Sequence, residues 1–272
     1  MKTIKIFLTT ILSLFAIVYL IYIGYIYFNQ SSMVFNATKL PKNYKFNFIE
    51  NFQELNIPSF DSKKINGLLF TTPNPKGLVF YLHGNAGMLD TWGGISKIYT
   101  DFGYDFFILD YRGFGKSEGK IDSETQVNND IKIVYNQLAK RYNPSTIIII
   151  GYSIGTGPAT YLASNVQTKA LVLQAPFYNF NEFSASRVPY YPVFLKNFRF
   201  ETNKNIVNIK SPIYIFHGNE DQLIPLANSL KLKKMIKAAD QIFELKKQGH
   251  IGINENKEYQ EKLKLILNWM FT

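Results

Sequence analysis

The chain has 272 residues, of which 46% are hydrophobic and 16% aromatic, and it carries a formal net charge of +10. This length and apolar content suffice for one α/β domain with a sizeable core. The absence of cysteine excludes disulfides, thiolate catalysis and cysteine-ligated metal sites. The lysines are spread along the chain, with no basic stripe and no nucleic-acid recognition motif, so we expect no nucleic-acid partner. The positive charge also predicts a general affinity for anionic lipid headgroups.

The N-terminal segment is apolar enough to cross a membrane. No charged residue occurs from Ile6 to Thr38, and Ile6–Phe28 is almost wholly apolar. About 20 helical residues cross the hydrocarbon core of a bilayer. The run is longer than the apolar region of a signal peptide, and no small-residue cleavage site follows it. We therefore predict an uncleaved single-pass anchor, with a cleaved signal peptide as the alternative.

The charges around this segment indicate its orientation. Lys2 and Lys5 lie close to one end, whereas Lys39, Lys42 and Lys45 lie farther from the other end. Positive charges near a membrane segment favour the cytoplasmic side. We therefore expect the N-terminus inside the cytoplasm and the rest of the chain on the extracytoplasmic side.

From about residue 46 onward, strand signals alternate with helix signals, which is typical of a mostly parallel sheet with helices on both faces. The predicted strands are Ile65–Phe70, Leu78–Leu82, Phe106–Leu109, Thr146–Ile150, Ala170–Leu173, Ile213–Phe216 and Ile242–Leu245. We therefore predict three parts of the chain, namely an anchor over residues 1–30, a linker over 31–45 and an α/β domain over 46–272.

Helix signals lie between the strands. Ser123 and Gln126 form a capping-box pattern, and Pro144 is predicted to end the helix that follows. The apolar face of that helix is predicted to carry Val127, Ile131, Val134, Leu138 and Tyr142. A closing helix is predicted from the spacing of Tyr259, Leu263, Ile266 and Met270.

The alternation breaks at one long segment. Residues 177–211, rich in Phe, Tyr and Asn, read as a short cap inserted over the carboxyl edge of the sheet. Its aromatic residues indicate an apolar acyl or alkyl ligand, or else they only pack the insertion onto the sheet.

The pentapeptide Gly151–Gly155 is a G-x-S-x-G motif centred on Ser153, between a buried strand and a small-residue helix start. This context exposes a serine hydroxyl on a sharp turn that only glycine neighbours allow. The motif therefore indicates a nucleophilic serine.

A serine nucleophile requires a base, and the chain has three histidines. His83 and His217 each end a predicted strand, and His250 lies in the loop after the last one. The chain order Ser…Asp/Glu…His selects His250 as the base. We expect His217 to make structural hydrogen bonds and His83 to shape the loop that carries the oxyanion donors.

The third member of the site should be an acid between Ser153 and His250. Asp221 is the predicted acid and Glu220 the alternative, and Asp221 could also cap the helix that begins near Pro225.

The oxyanion formed on the substrate requires backbone donors. The predicted donors are the amide of Ile154, which follows the nucleophile, and that of Asn85, in the loop after an early strand.

Together these motifs resemble those of the α/β-hydrolase superfamily, from about residue 46 to the C-terminus. The resemblance rests on His83–Gly87, Asp110–Ser117, Gly151–Gly155, the Asp221 loop and Gly249-His250. In particular, the chain resembles membrane-anchored α/β-hydrolase domain proteins, a group that includes enzymes that remove palmitate from proteins. It is also similar to serine aminopeptidase-like and lysophospholipase-like members.

The resemblance implies an α/β-hydrolase fold and a Ser-His-Asp hydrolase that cleaves an ester, thioester or amide of an acyl-containing lipid, protein or peptide. It implies structural roles for Asp110 and Arg112 near the site. The cytosolic depalmitoylases of this kind attach to membranes through a cysteine-rich N-terminus, which this cysteine-free chain lacks. A catalytically silent hydrolase fold that serves as a membrane-bound binding or scaffold protein is the alternative.

Other chemistry fits poorly. Gly115-Lys116-Ser117 resembles the end of a phosphate-binding loop, but Asp110 stands where the first glycine is required and would repel phosphate. Glu118 likewise replaces the third glycine of a dinucleotide fingerprint. No histidine pair has metal-ligand spacing, so we predict no cofactor and no metal.

Overall fold

The structure is a computed structural model that describes residues 2–269. Within those residues, eight strands form one sheet in the order β1-β2-β4-β3-β5-β6-β7-β8. The strands are β1 (Phe52–Pro58), β2 (Lys64–Phe70), β3 (Leu78–Leu82), β4 (Asp105–Leu109), β5 (Ile147–Tyr152), β6 (Ala170–Gln174), β7 (Ile213–Gly218) and β8 (Gln241–Leu245). β1 and β2 pair antiparallel with their neighbours, whereas β3 to β8 run parallel.

Helices cover both faces of the sheet or extend from it. Those in the described part of the chain are α1 (Lys2–Val34), α2 (Leu89–Trp92), α3 (Ser96–Thr100), α4 (Glu124–Leu138), α5 (Thr156–Asn165), α6 (Phe180–Ala185), α7 (Thr202–Ile206), α8 (Ala227–Lys233) and α9 (Lys257–Trp269). The predicted α/β architecture is therefore confirmed.

The core has two layers because side chains alternate across each strand. In β5, Ile147 and Ile149 pack in the layer that contains α4 and α5, while Ile148 and Ile150 pack in the layer that contains α3 and α9. All four are fully buried, as expected for a central parallel strand covered on both faces. This rigid centre fixes the position of whatever follows β5.

The predicted strands all occur, with bounds that shift by at most two residues. β1 is an additional strand that the sequence patterns do not predict, because it is a half-exposed edge strand that pairs only with β2 and ends at Pro58.

The helix α4 ends earlier than predicted. The hydroxyl of Ser123 accepts a hydrogen bond from the Gln126 amide, so the predicted N-cap is confirmed. The helix ends at Leu138, however, and the prediction that it continues to Pro144 is wrong. Tyr142 lies beyond the helix, where its hydroxyl donates a 2.5 Å hydrogen bond to Asp105. In the closing helix, Met270 lies outside the described residues.

The first helix, α1, runs continuously from Lys2 to Val34, so the start of the predicted linker is helical. An 18-residue window of it has a mean hydropathy of 2.5, and none of that window is buried against the protein. By length and composition this helix could cross a membrane.

Candidate active site

The turn after β5 places Ser153 in a strained conformation. The strand continues directly into a 3₁₀ turn, Ser153–Gly155, and then into α5. Ser153 has a φ of +54°, in the left-handed region that non-glycine residues rarely occupy. Such a residue costs about 1–3 kcal/mol, which the surrounding packing must offset. This strain is a feature of sites where a side chain must be presented outward.

The two glycines of the motif are required by close backbone approach. A Cβ on Gly151 would lie 2.6 Å from the Cβ of Ala159, and one on Gly155 would lie 2.2 Å from the carbonyl oxygen of Leu82. Neither space admits a methyl group without moving the turn. The glycine spacing therefore allows α5 to pack directly against β3 and β5.

Three side chains from separate loops meet at this turn. The Oγ of Ser153 lies 2.9 Å from the Nε2 of His250, and the Nδ1 of His250 lies 2.7 Å from the Oδ2 of Asp221. A carboxylate only accepts, so Nδ1 carries a proton toward Asp221 and leaves Nε2 free to accept from the serine hydroxyl. The structure thus brings together the three residues that the sequence predicted for catalysis.

The surroundings of Asp221 keep it ionised. Its Oδ1 accepts hydrogen bonds from the amides of Leu223 and Ile224, each 2.9 Å long. Burial opposes ionisation, but hydrogen bonds from His217, His250 and the Ile224 amide outweigh it and hold the pKa of Asp221 well below its usual range.

The alternative acid lies elsewhere. Glu220 is exposed, whereas Asp221 is 6% exposed and contacts the imidazole. Asp221 also organises the turn before α8, although the N-cap of that helix is Leu226.

The buried His217 supports the same loop. Its Nε2 lies 2.7 Å from the carbonyl oxygen of Ile224 and 3.3 Å from Asp221, and its Nδ1 lies 2.7 Å from the hydroxyl of Ser229. With the proton on Nε2, His217 donates toward both oxygens and accepts from Ser229. These contacts fit the structural role that the sequence predicted for it.

The loop after β3 is fixed beside the nucleophile. Asn85 lines the same pocket as Ser153 and Ile154, and its carbonyl oxygen accepts a 2.9 Å hydrogen bond from the amide of Asn36. The indole of Trp92 donates a 2.8 Å hydrogen bond to the carbonyl of Ala86. The two residues predicted to hold the oxyanion therefore lie on the wall next to the serine.

A buried pair lies under this loop. The Nε2 of His83 is 3.5 Å from the Oδ1 of Asp110, and both side chains are fully buried. Burial raises the pKa of Asp110 despite its contact with His83. The carbonyl of His83 accepts a 2.9 Å hydrogen bond from Tyr111. The pair does not contact Ser153, and its role is to stabilise the loop after β3.

Arg112 has a comparable structural role. Its guanidinium forms ion pairs with Asp61 at 2.6 Å and with Asp130 at 2.5 Å, and the side chain is almost completely buried. Hydrogen bonds that it donates to these two carboxylates raise the pKa of Arg112 further above its usual value. The pairs join the loop after β4 to α4 and to the turn between β1 and β2.

Sequence reasoning missed residues that hold the His250 loop. The hydroxyl of Tyr152 donates to the carbonyl of His250. Farther along, the side-chain amide of Asn254 donates to Tyr81 at 2.9 Å and its oxygen accepts from Gln174 at 2.8 Å. The only sequence signal for this network was the presence of polar residues at the ends of otherwise apolar strands.

A cavity of about 230 Å³ opens beside Ser153, with mostly apolar walls. Its walls come from the cap (residues 177–211), the Asp221 loop and the end of α1. The lining residues include Phe177, Phe180, Phe183, Arg187, Val188, Tyr191, Lys196, Phe198, Leu223 and Ile224. Several cap aromatics, Phe177 among them, also belong to the core, so they both pack the cap onto the sheet and line the cavity.

Across residues 2–269 no group of three His, Asp or Glu side chains is arranged to hold a metal ion.

Comparison with known sequences points to one family. A family model described as serine aminopeptidase, S33, matches residues 73–200. The chain is 32% identical to the human alpha/beta hydrolase domain-containing protein 17B over 206 residues, which cover 72% of this chain and 68% of that protein. It is also 32% identical to the lysophosphatidylserine lipase ABHD12 of Danio rerio over 179 residues, 57% of this chain and 46% of the lipase. The chain thus spans less than half of that lipase.

Solved structures share the fold. An esterase of Pyrococcus furiosus superposes with a TM-score of 0.69 at 19% identity, over 87% of this chain and 97% of the esterase. An alpha-beta hydrolase of Vibrio vulnificus superposes with a TM-score of 0.64 at 22% identity, over 80% of each chain. The strand order, the turn at Ser153 and these similarities lead to one conclusion: the chain belongs to the α/β-hydrolase superfamily and resembles its ABHD members.

Proposed function

We propose that this protein is a membrane-anchored serine hydrolase that transfers an acyl group to water. The observation that carries the proposal is the unbroken hydrogen-bonded series from the Ser153 hydroxyl through His250 to the buried Asp221. Ser153 occupies a strained turn, and its side chain lines an apolar cavity.

The geometry supports a two-step reaction. The Oγ of Ser153 attacks the substrate carbonyl while Nε2 of His250 takes the hydroxyl proton, and Asp221 stabilises the imidazolium. The amides of Ile154 and Asn85 hold the oxyanion of the tetrahedral intermediate. His250 then gives its proton to the departing alcohol, thiol or amine. Water then attacks the acyl-serine while Nε2 of His250 takes its proton. The bond between the acyl carbon and Oγ breaks, the carboxylic acid leaves, and His250 returns the proton to Ser153.

The cavity favours an acyl chain carried by an anionic molecule. Its walls are mainly aromatic and aliphatic, and among the described residues that line it there are two cations, Arg187 and Lys196, and no carboxylate. The Nζ of Lys196 donates to the Ser184 hydroxyl at 2.9 Å and to the Asn181 carbonyl at 3.3 Å, and neither of these neutral oxygens compensates its charge. The named activity of the zebrafish relative, a lysophosphatidylserine lipase, supports a lipid substrate of this kind.

The apolar surface of α1 supports membrane attachment. Most of its exposed side chains from Ile6 to Phe28 are apolar and none is charged, and an apolar surface of this length is unfavourable in water. We propose that α1 crosses a bilayer with Lys2 and Lys5 in the cytoplasm and the hydrolase domain on the other side.

An activity-based probe tests the catalytic proposal. A fluorophosphonate reagent should label the purified full-length protein, and Ser153→Ala should abolish that labelling while the melting temperature shows a folded protein. Absence of labelling in folded wild type would reject a serine hydrolase and favour the scaffold alternative.

The absence of cysteine makes the topology testable. Two single-cysteine variants place one reporter on each side of the apolar helix, Thr3→Cys at the start of α1 and Ser62→Cys in the exposed turn between β1 and β2. A membrane-impermeant maleimide added to intact cells should label Ser62→Cys and not Thr3→Cys. The reverse pattern would place the domain in the cytoplasm.

A further inference from the structure

The end of α1 forms part of the wall beside the nucleophile. Ile26, Gln30 and Met33 line the same cavity as Ser153. Ile26 is 3% exposed and Gln30 is 7% exposed, in a helix whose most apolar window has no buried residue. Most of the helix therefore exposes an apolar surface, whereas its last turns pack against the domain.

A buried glutamine fixes this part of the helix to the cap. The Nε2 of Gln30 donates to the Tyr191 hydroxyl at 3.2 Å and to the Leu195 carbonyl at 3.0 Å, and its Oε1 accepts from the Asn197 amide at 2.8 Å. A buried side-chain amide is costly unless it is hydrogen-bonded in this way. Gln30 therefore fixes the position of α1 against the cavity.

The contact continues toward the N-terminus. The hydroxyl of Tyr22 donates to the Pro189 carbonyl at 2.6 Å, and that of Tyr19 donates to the Tyr190 carbonyl at 2.9 Å. In this part of the cap, Tyr190 is 89% exposed. Aromatic side chains of this kind favour the interface between lipid and water. The cap and α1 together thus meet the membrane surface.

We propose that Ile26, Gln30 and Met33 are part of the acyl-binding site, so that the membrane helix determines which acyl chains the enzyme accepts. The acyl chain lies against these residues when its carbonyl reaches Ser153. This inference rests on the proposed hydrolase function and adds specificity-determining residues that lie outside the hydrolase domain.

Two tryptophan substitutions on one turn of α1 test whether Ile26 contacts the acyl chain. Ile26→Trp places a large ring in the cavity, and Phe28→Trp, at a side chain 84% exposed, is the matched control. The assay is a series of nitrophenyl esters from acetyl to decanoyl, hydrolysed by the full chain in detergent. For Ile26→Trp we expect kcat/KM for the decanoyl ester to fall by about tenfold or more relative to the acetyl ester. Phe28→Trp should match wild type.

Thiol labelling gives a second test in case Ile26→Trp does not fold. Because the chain has no cysteine, Met33→Cys introduces a unique thiol on the cavity wall, and Ser32→Cys introduces one that does not line the cavity. A bulky methanethiosulfonate reagent should lower decanoyl ester hydrolysis by Met33→Cys about tenfold, with a smaller effect on the acetyl ester, and should not affect Ser32→Cys.

The outcomes separate the two proposals. If labelled Met33→Cys keeps the chain-length profile of the unlabelled protein while Ser153→Ala is inactive, the role of α1 is rejected and the hydrolase function stands. If wild type shows no Ser153-dependent hydrolysis of any ester, both proposals are overturned.

Discussion

The hydroxyl of Tyr152 donates a hydrogen bond to the carbonyl oxygen of His250, so the residue before the nucleophile holds the loop that carries the base. The two ends of this contact lie far apart in sequence, and the bond joins the end of β5 to the loop after β8. It places the imidazole by a route independent of Asp221.

Tyr152→Phe should therefore lower activity without unfolding the domain. Losing one hydrogen bond costs about 0.5–1.5 kcal/mol, which corresponds to a several-fold loss in kcat/KM if the whole cost falls on the position of His250. The measurement is ester hydrolysis and the rate of fluorophosphonate labelling, with Tyr161→Phe in α5 as control. Equal activities for wild type and Tyr152→Phe would show that the loop holds its position without this bond.

Asp221→Asn should reduce turnover far more. An amide can no longer stabilise the imidazolium or select the required tautomer, a change worth on the order of 10⁴ in kcat in a serine protease triad. Glu220→Gln is the matched control, because that side chain is exposed. Steady-state kinetics on both variants decide the assignment. A large loss in Glu220→Gln with activity retained in Asp221→Asn would reverse it.

The strain at Ser153 should appear as a stability difference between two inactive variants. Ser153→Ala keeps a Cβ at a φ of +54°, whereas Ser153→Gly removes it. After allowing for the extra flexibility of unfolded glycine, we expect the glycine variant to be more stable by about 1 kcal/mol. Thermal unfolding should show a melting temperature about 2–4 °C higher for Ser153→Gly. A higher value for Ser153→Ala would contradict this account.

The ion pairs of Arg112 predict how stability depends on pH. Hydrogen bonding from Arg112 lowers the pKa of Asp61 from 3.8 to about 2. A carboxyl with a depressed pKa stabilises the fold above its unfolded pKa, and this contribution is lost as the pH falls toward the folded value.

Wild type should therefore lose stability between pH 4 and pH 2 more steeply than Asp61→Asn. Melting temperatures across this range are the measurement. Asp101→Asn, which removes an exposed pair with Lys97, is the control. Parallel curves for wild type and Asp61→Asn would refute the linkage.

Much of the sheet follows from local sequence patterns. The run of β-branched residues in β5 and the glycine spacing around Ser153 describe a buried strand and a tight turn without reference to the rest of the chain. The order of Ser153, Asp221 and His250 then predicts which loops should meet. The strand and turn patterns are local, and so they can be read directly.

Other parts depend on contacts between distant segments. β1 is half exposed and gains its pairing only from β2, so its own residues carry a weak signal. The position of Gln30 against Tyr191 and Asn197 is likewise invisible in sequence, because a glutamine near the end of an apolar helix reads as a solvent-facing residue. The apolar pattern that predicts the anchor does not indicate that its last turns line the cavity beside Ser153.

The hydrogen bonds that join Gln30 to the cap have a consequence for which substrates this protein can meet. A catalytic domain on a flexible tether can sample a wide range of heights above a bilayer, but a domain held rigidly to its own transmembrane helix cannot. With α1 embedded as proposed, Ser153 stays at one fixed depth. Ser153 then encounters molecules that diffuse laterally in the membrane, rather than molecules in the surrounding solution.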